Sequence, residues 1–262
     1  MKFEDKVVVV TGAARGIGYA TAALAASEGA VSVVCDLRQD AVDSAVDAIH
    51  AAGGTAIGVV GDVSDRANVA ENVDRIIAEL GRIDVLVNNA ATQVTTPARE
   101  LTEEHWRREL DVCLSGTFFW SQIVAVESMI PRRSGAIVNI GSGAGLAAAP
   151  NTASYVAAKH GVVGLTKALA VDWGQYGIRV NCVCPGFTWT ELAQSISEAN
   201  PQVMKERVAR IPLGAGAQPD DIARAVSYLA SSDSLAVSGT VLSVDGGTLA
   251  LSSGYSAPRD QT

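Results

Sequence analysis

Tyr155 and Lys159 stand four residues apart in the segment Ser154-Tyr155-Val156-Ala157-Ala158-Lys159. If the segment is helical, the two side chains share one face. That spacing suits proton transfer. A phenol in water titrates near ~10, too high to exchange protons readily at neutral pH. An ammonium within ~4–6 Å favours the phenolate and brings such a group into working range. Ser142, upstream, adds a hydroxyl able to hold a substrate oxygen. Taken alone, Tyr-x-x-x-Lys is a frequent chance pattern, and an ordinary helix with a tyrosine and a solvated lysine would also produce it. Its weight comes from the elements around it.

Those elements read as strands alternating with helices. Lys6 to Thr11 is a β-branched run that predicts a strand buried on both faces. Gly12-Ala13-Ala14-Arg15-Gly16-Ile17-Gly18 follows at once, then an alanine-rich helical stretch to about Gly29. Strand, glycine loop and helix are the setting of a dinucleotide-binding turn, with the pyrophosphate at the helix N-terminus. The spacing here is G-x-x-x-G-x-G. Val31 to Asp36 predicts the second strand and leaves Asp36 at its end. A carboxylate there accepts hydrogen bonds from ribose hydroxyls and repels a 2′-phosphate, which favours NAD over NADP. Arg15 and Arg38 pull the other way. A turn or cap role is the alternative for Asp36.

Further along, Thr55 to Val60, Asp84 to Asn88, Gly135 to Ile140, Ile178 to Val183 and Val241 to Gly247 read as strands. Helical spacing joins Val42, Val46 and Ile49, and again Val69, Val73, Ile76 and Leu80. Asp62, followed by Val63, would face an adenine or cap the next helix. Asn88 and Asn89 close the fourth strand, where paired amides can satisfy backbone groups and position a cofactor. Leu101 to about Arg133 predicts a long helix capped by Thr102, with Gly116 permitting close packing. Phe187 to about Pro212 has weaker periodicity and a break at Asn200-Pro201, as in a short helical lid. Pro219-Asp220-Asp221 opens another helix, and a short tail from Leu251 to Thr262 ends polar.

The chain has 262 residues, enough for one large α/β domain without a linker or repeat. Its net charge of −8 gives no footprint for nucleic acid or an anionic membrane. No apolar run lacks both charge and glycine for the ~18 residues of a membrane span. Cys35, Cys113, Cys182 and Cys184 make no C-x-x-C pair, and none lies at metal-ligand spacing from His50, His105 or His160. No signal peptide is legible, so reduced thiols and a cytoplasmic location are expected.

The ordered set Thr11-Gly12-x-x-x-Gly16-x-Gly18, Asp62-Val63, Asn88-Asn89-Ala90, Ser142, Tyr155-x-x-x-Lys159 and Pro185-Gly186 resembles the short-chain dehydrogenase/reductase family over residues 4 to 248. The resemblance implies an α/β fold: a doubly wound parallel seven-stranded sheet (Rossmann fold) in three α/β/α layers with a short lid, and a homotetramer. It implies that Tyr155 is the general acid/base, Ser142 holds the substrate oxygen, and Lys159 lowers the tyrosine pKa and binds the nicotinamide ribose. Cofactor contacts would fall on Gly12, Arg15, Gly16, Ile17, Gly18, Asp36, Leu37, Asp62, Val63, Asn89, Ala90, Tyr155, Lys159, Pro185, Gly186, Thr188 and Thr190. Among these, Thr188 would meet the carboxamide, and Thr190 the phosphates or carboxamide.

The sequence departs from the family in two places. Cys113 fills the slot of a catalytic asparagine that helps hold a water linking the lysine to solvent, and Ala91 stands where glycine is usual. A thiol is a poorer donor and acceptor than an amide. The expected activity is therefore NAD-dependent hydride transfer with a secondary alcohol or its ketone. The alternatives are a cofactor-binding protein with little catalysis, motivated by Cys113, and an NADPH-dependent 3-oxoacyl thioester reductase, opposed by Asp36. Pocket candidates by position are Gln93, Val94, Ala144, Leu146, Asn151, Phe187, Trp189 and Leu192, which suggest a moderately apolar, cyclic substrate.

Overall fold

Val7, Val8, Val9 and Val10 set the layering of the molecule, because successive side chains of a strand point to opposite faces. In the computed structural model all residues of β1 (Val7–Thr11) are buried. Val8 and Val10 join a core cluster on one face of the sheet, and Val7 and Val9 a second cluster on the other. The structure describes residues 1–252, with all their side chains except those of Leu192, Ser195, Ile196 and Ala199. The polar tail read from Leu251 falls mostly outside that range.

Seven parallel strands form one sheet in the order β3-β2-β1-β4-β5-β6-β7. The other six are β2 (Val31–Asp36), β3 (Thr55–Val60), β4 (Val85–Asn88), β5 (Gly135–Ile140), β6 (Ile178–Pro185) and β7 (Val241–Val244). Helices α1 (Gly16–Ser27), α2 (Gln39–Ala51) and α8 (Pro219–Ala230) supply the first face, through residues such as Ala22, Val42 and Ile222. Helices α3 (Arg66–Leu80), α4 (Glu103–Arg132) and α5 (Ala153–Trp173) supply the second, through Val73, Trp120 and Leu169. The lid is a pair of short helices, α6 (Glu191–Ala199) and α7 (Pro201–Ala209), parted at Asn200 as its Asn-Pro break predicts. This is the doubly wound, three-layer α/β fold expected from the sequence. The strand order reverses between β1 and β4, so their C-terminal ends open a crevice there.

Helix α4 is long and apolar enough, by length and composition, to cross a membrane. Its apolar side chains instead cover the sheet: Trp120, Val124, Ala125 and Met129 are all buried in the second cluster. It starts at Glu103, where the Thr102 hydroxyl accepts the N–H of His105 at 3.2 Å. Two wide π turns, Asp111–Ser115 and Ala125–Met129, interrupt it. Sequence periodicity did not predict them. Gly116 has the expected packing role, since a Cβ there would meet Val63 at 2.9 Å.

A buried polar chain locks α4 and α5 to the sheet. The Asn88 amide donates to Ser121 on α4 and to Asn139 on β5, both at 2.9 Å. The Asn139 amide donates to Thr166 on α5 at 3.0 Å. These bonds fix the helix that carries Tyr155 against the strands that frame the crevice.

Candidate active site

The glycine loop is shaped to receive a group closely. Gly12 and Gly16 adopt φ of +61° and +58°, which favours glycine. A Cβ on Gly18 would lie 2.2 Å from the Gly12 carbonyl oxygen. Helix α1 opens with no capping side chain and no acidic residue in its first turn. Its first N–H groups are thus left for an anion, the arrangement that accepts a pyrophosphate. These features fit a dinucleotide.

Asn89 fastens that loop across the crevice. Its side-chain amide donates to the carbonyls of Thr11 and Gly12, both at 2.9 Å. Its backbone N–H and that of Ala90 donate to the Thr11 hydroxyl at 3.0 and 3.1 Å. Ala91 keeps a negative φ, so the glycine usual in the family is not required for the backbone here. The Asp36 carboxylate stands at the end of β2. It accepts the N–H of Ala14 in the loop at 3.1 Å and that of Leu37 at 2.8 Å. A carboxylate has further lone pairs to offer a ribose. Asp62 accepts the hydroxyl and the N–H of Ser64 at 2.6 and 2.9 Å. Burial pushes the Asp62 carboxyl up, but the Ser64 bonds and the charge of Arg108 outweigh it and hold it below the usual range. The cap of α3 is Asp65, not Asp62.

Ser142, Tyr155 and Lys159 meet at one cavity of about 600 Å³, between the ends of β4, β5 and β6 and the lid. Ser142 caps the turn Gly143–Gly145, accepting the Ala144 N–H at 3.1 Å. Gly145 lets that turn lie directly on the Lys159 carbonyl, which a Cβ would approach to 2.7 Å. Behind it, Gly141 rests on the sulfurs of Cys184 and Cys182, which a Cβ would meet at 2.7 and 2.8 Å. Both thiols are buried packing residues, as the sequence suggests. Lys159 is 2% exposed, and its ammonium donates to the Ile140 carbonyl at 2.7 Å. The same ammonium lies 5.6 Å from the centre of the Tyr155 ring. A buried cation is costly unless bonded, and here the carbonyl and the ring both face it.

Of the other predicted cofactor positions, Ile17, Asn89, Pro185, Gly186, Thr188 and Thr190 line the same cavity. Arg15, Asp36, Leu37, Asp62, Val63, Gly12, Gly16, Gly18 and Ala90 do not; they belong to the glycine loop and the ends of β2 to β4. Thr190 borders the loop, since a Cβ on Gly16 would lie 3.6 Å from its methyl group. Gln93, Ala144 and Phe187 line the cavity as predicted for the substrate. Val94, Leu146, Asn151 and Trp189 do not; Trp189 packs on Phe187 and borders a neighbouring depression with Gly16. The Leu192 side chain lies outside the described residues. Sequence reasoning missed the wall Ala147 to Pro150 and the lid residues Met204, Arg207, Arg210 and Ile211.

Two buried residues flank the site. The Cys113 sulfur donates to the Thr92 carbonyl at 3.3 Å and accepts the Thr92 N–H at 3.4 Å. The Cys113 carbonyl accepts the Thr117 hydroxyl at 2.9 Å, so one of its lone pairs is already used. Glu109, which the sequence did not single out, is fully buried and accepts the hydroxyl of Ser154 and the N–H of Val94.

A nucleotide-receiving loop facing a serine, a tyrosine and a buried lysine across a substrate-sized cavity defines a nicotinamide-dependent oxidoreductase. The chain belongs to the short-chain dehydrogenase/reductase family. A family model described as enoyl-(acyl carrier protein) reductase matches residues 12–248. The 3-oxoacyl-(acyl-carrier-protein) reductase of Thermotoga maritima is 38% identical over 247 residues, 94% of this chain and 99% of that one. The cis-4-hydroxycyclohexanecarboxylate dehydrogenase of Sinomonas cyclohexanicum is 41% identical over 250 residues, 95% of this chain and 98% of that one. The crystal structure of a putative NAD(P)-dependent gluconate 5-dehydrogenase from Beutenbergia cavernae, with NADP bound at low occupancy, superposes with a TM-score of 0.90 at 38% identity. It covers 96% of this chain and 100% of that one.

Proposed function

We propose that the protein is an NAD-dependent dehydrogenase of secondary alcohols, reversible as a ketone reductase. The observation that carries this reading is the convergence of Ser142, Tyr155 and buried Lys159 on one cavity. A nicotinamide held by the glycine loop and Lys159 would supply the hydride chemistry at the carbinol or carbonyl carbon. The chain itself holds and moves the proton. The Ser142 oxygen already accepts the Ala144 N–H, which leaves its own O–H to donate to the substrate oxygen. The Tyr155 oxygen takes the substrate hydroxyl proton during oxidation and gives it back during reduction. Lys159, fixed by the Ile140 carbonyl, holds its side-chain nitrogen beside that ring in both directions. Asp36 supports NAD: at ~4 Å a carboxylate repels a 2′-phosphate charge by about 4 kcal/mol at an effective dielectric near ~20.

A homotetramer in the cytoplasm belongs to the same proposal. It is supported by Val171 on α5 and Val126 on α4, which are 81% and 50% exposed, and by four buried thiols without a disulfide among the described residues. Size-exclusion chromatography with light scattering tests the assembly.

The second reading is an NADPH-dependent 3-oxoacyl thioester reductase, favoured by the Thermotoga relative and opposed by Asp36. The deciding experiment follows NADH formation from NAD with cyclic and linear secondary alcohols, wild type beside Tyr155→Phe. Turnover that vanishes in the variant supports the dehydrogenase. Turnover of 3-oxoacyl thioesters with NADPH alone would favour the second reading. Tight NADH binding without turnover of either would point to a binding protein.

A further inference from the structure

The second lid helix turns a charged face to the cavity. Met204, Arg207 and Ile211 follow one another at spacings of three and four residues, so they share a side of α7 and the turn after it, and all three line the cavity with Arg210. Met204 and Ile211 are buried and hold that side inward. Ile211 rests on Gly246, where a Cβ would meet it at 2.5 Å. The Phe187 ring lies 5.0 Å from the Arg207 guanidinium carbon and supports it from below.

Neither Arg207 nor Arg210 is paired with a carboxylate among the described residues, whereas Arg82, Arg99, Arg107, Arg132 and Arg224 all are. Among the described residues, the one acid lining the cavity is Asp245. Its two oxygens accept the N–H groups of Gly247 and Leu249 at 2.9 and 2.8 Å, so it is committed to its own turn. A helix dipole favours cations in a last turn, but it does not require them to face a cavity. The net charge of −8 also rules out a generally basic surface as the cause. The neighbouring wall is apolar: Ala147, Ala148, Ala149 and Pro150.

We infer that Arg207 and Arg210 bind the carboxylate of the substrate, which is a secondary alcohol or ketone with a compact apolar body and an acid group at its far end. A planar guanidinium matches a carboxylate through two parallel hydrogen bonds. This inference rests on the dehydrogenase reading for the reacting end of the substrate, and its test has an arm that does not.

That arm measures binding of cyclohexanecarboxylate and its neutral amide to the NADH-loaded protein by calorimetry, in wild type, Arg207→Met, Arg210→Met and the double variant. Neither compound carries the reacting hydroxyl. The acid should bind the wild type tighter than the amide, and the preference should fall about tenfold in each single variant and further in the double, as expected for a lost charge-assisted bond. Arg207→Lys should retain part of it, which separates lost charge from lost folding. In the kinetic arm, the kcat/KM ratio of 4-hydroxycyclohexanecarboxylate over 4-methylcyclohexanol should fall in parallel. Equal binding of acid and amide to the wild type would overturn the inference. So would a preference that survives in the double variant, or a loss of NADH affinity in place of acid affinity, which would assign the arginines to cofactor phosphate. Acid-selective binding without turnover of any alcohol would keep the arginine assignment and remove the dehydrogenase reading.

Discussion

The buried carboxylate of Glu109 accepts the hydroxyl of Ser154, the residue immediately before Tyr155. Its other oxygen accepts the N–H of Val94. One side chain on α4 thereby ties the first turn of α5 to the loop that brings Gln93 to the cavity. A buried polar group is maintained only by such bonds.

Removing the Glu109 carboxylate leaves two donors without a partner in the interior. Glu109→Leu is expected to lose about 1–3 kcal/mol, since an unsatisfied buried group costs that much. Thermal melting should show a drop of several degrees, and kcat should fall with it because Tyr155 loses its neighbour's anchor. Glu109→Gln keeps one acceptor and should lie between. An unchanged melting temperature in Glu109→Leu would show that the bonds hold nothing in place.

Cys113 offers its sulfur to both backbone groups of Thr92. An amide forms both bonds more strongly. Cys113→Asn should therefore raise kcat, by up to about tenfold, well inside the range that positioned proton transfer contributes. The measurement is steady-state turnover at saturating cofactor, with a solvent isotope effect to show that a proton step is being read. A lower kcat in the variant would mean that the thiol suits the π turn better than the amide.

Asp36, on which the proposed preference for NAD rests, also shapes the loop by accepting the Ala14 N–H. Asp36→Ser should shift the kcat/KM ratio of NADP over NAD upward by about 10–100-fold, less than a fully buried charge pair would give because Asp36 is partly exposed to solvent. A ratio that stays constant while both efficiencies fall would show that Asp36 acts on the loop alone.

Asp84, before β4, carries the acid sensitivity of the fold. Burial raises its carboxyl, but the Val7 N–H, Arg132, Lys6 and Arg82 outweigh that and hold it below the usual carboxylate range. The unfolded chain therefore takes up the proton first as pH falls. Stability from this group is complete above the unfolded value near ~3.9 and is lost as pH drops through the lower folded value. Asp84→Asn should cost about 2 kcal/mol at pH 7, the scale of a charged hydrogen bond. Denaturant melts should show that cost shrinking toward zero in strong acid. A cost that stays constant with pH would contradict the linkage.

The strands were legible because Val7 to Val10, Val31 to Cys35 and Val85 to Val87 are β-branched or apolar runs bounded by turn residues. The glycine loop and Ser142, Tyr155 and Lys159 were legible because their roles require fixed residue types at fixed spacing. Glu109 was not, since an acid in a long amphipathic helix reads as solvated until Val94 and Ser154 are folded onto it. The π turn at Asp111–Ser115 was hidden for a related reason: it alters the rotation of a helix without altering its composition. Val94 and Trp189 were assigned to the cavity by nearness in sequence, but nearness does not set the direction in which a loop side chain points.

The two sides of the crevice are attached to the body of the protein in different ways. The glycine loop is held by hydrogen bonds that Asn89 and Ala90 donate to Thr11 and Gly12 and by one that the Asp36 carboxylate accepts from Ala14, so most substitutions there disturb the sheet itself. The lid touches the body through side-chain contacts such as Phe187 on Gly216 and Ile211 on Gly246, and outside those close-packed points its described residues are tied by few hydrogen bonds to the sheet. Divergence can therefore replace what the lid presents, Arg207 and Arg210 included, while inheriting the proton machinery intact. A lineage built this way explores new substrates by editing about two dozen residues, and an engineer can follow the same route without revisiting the core.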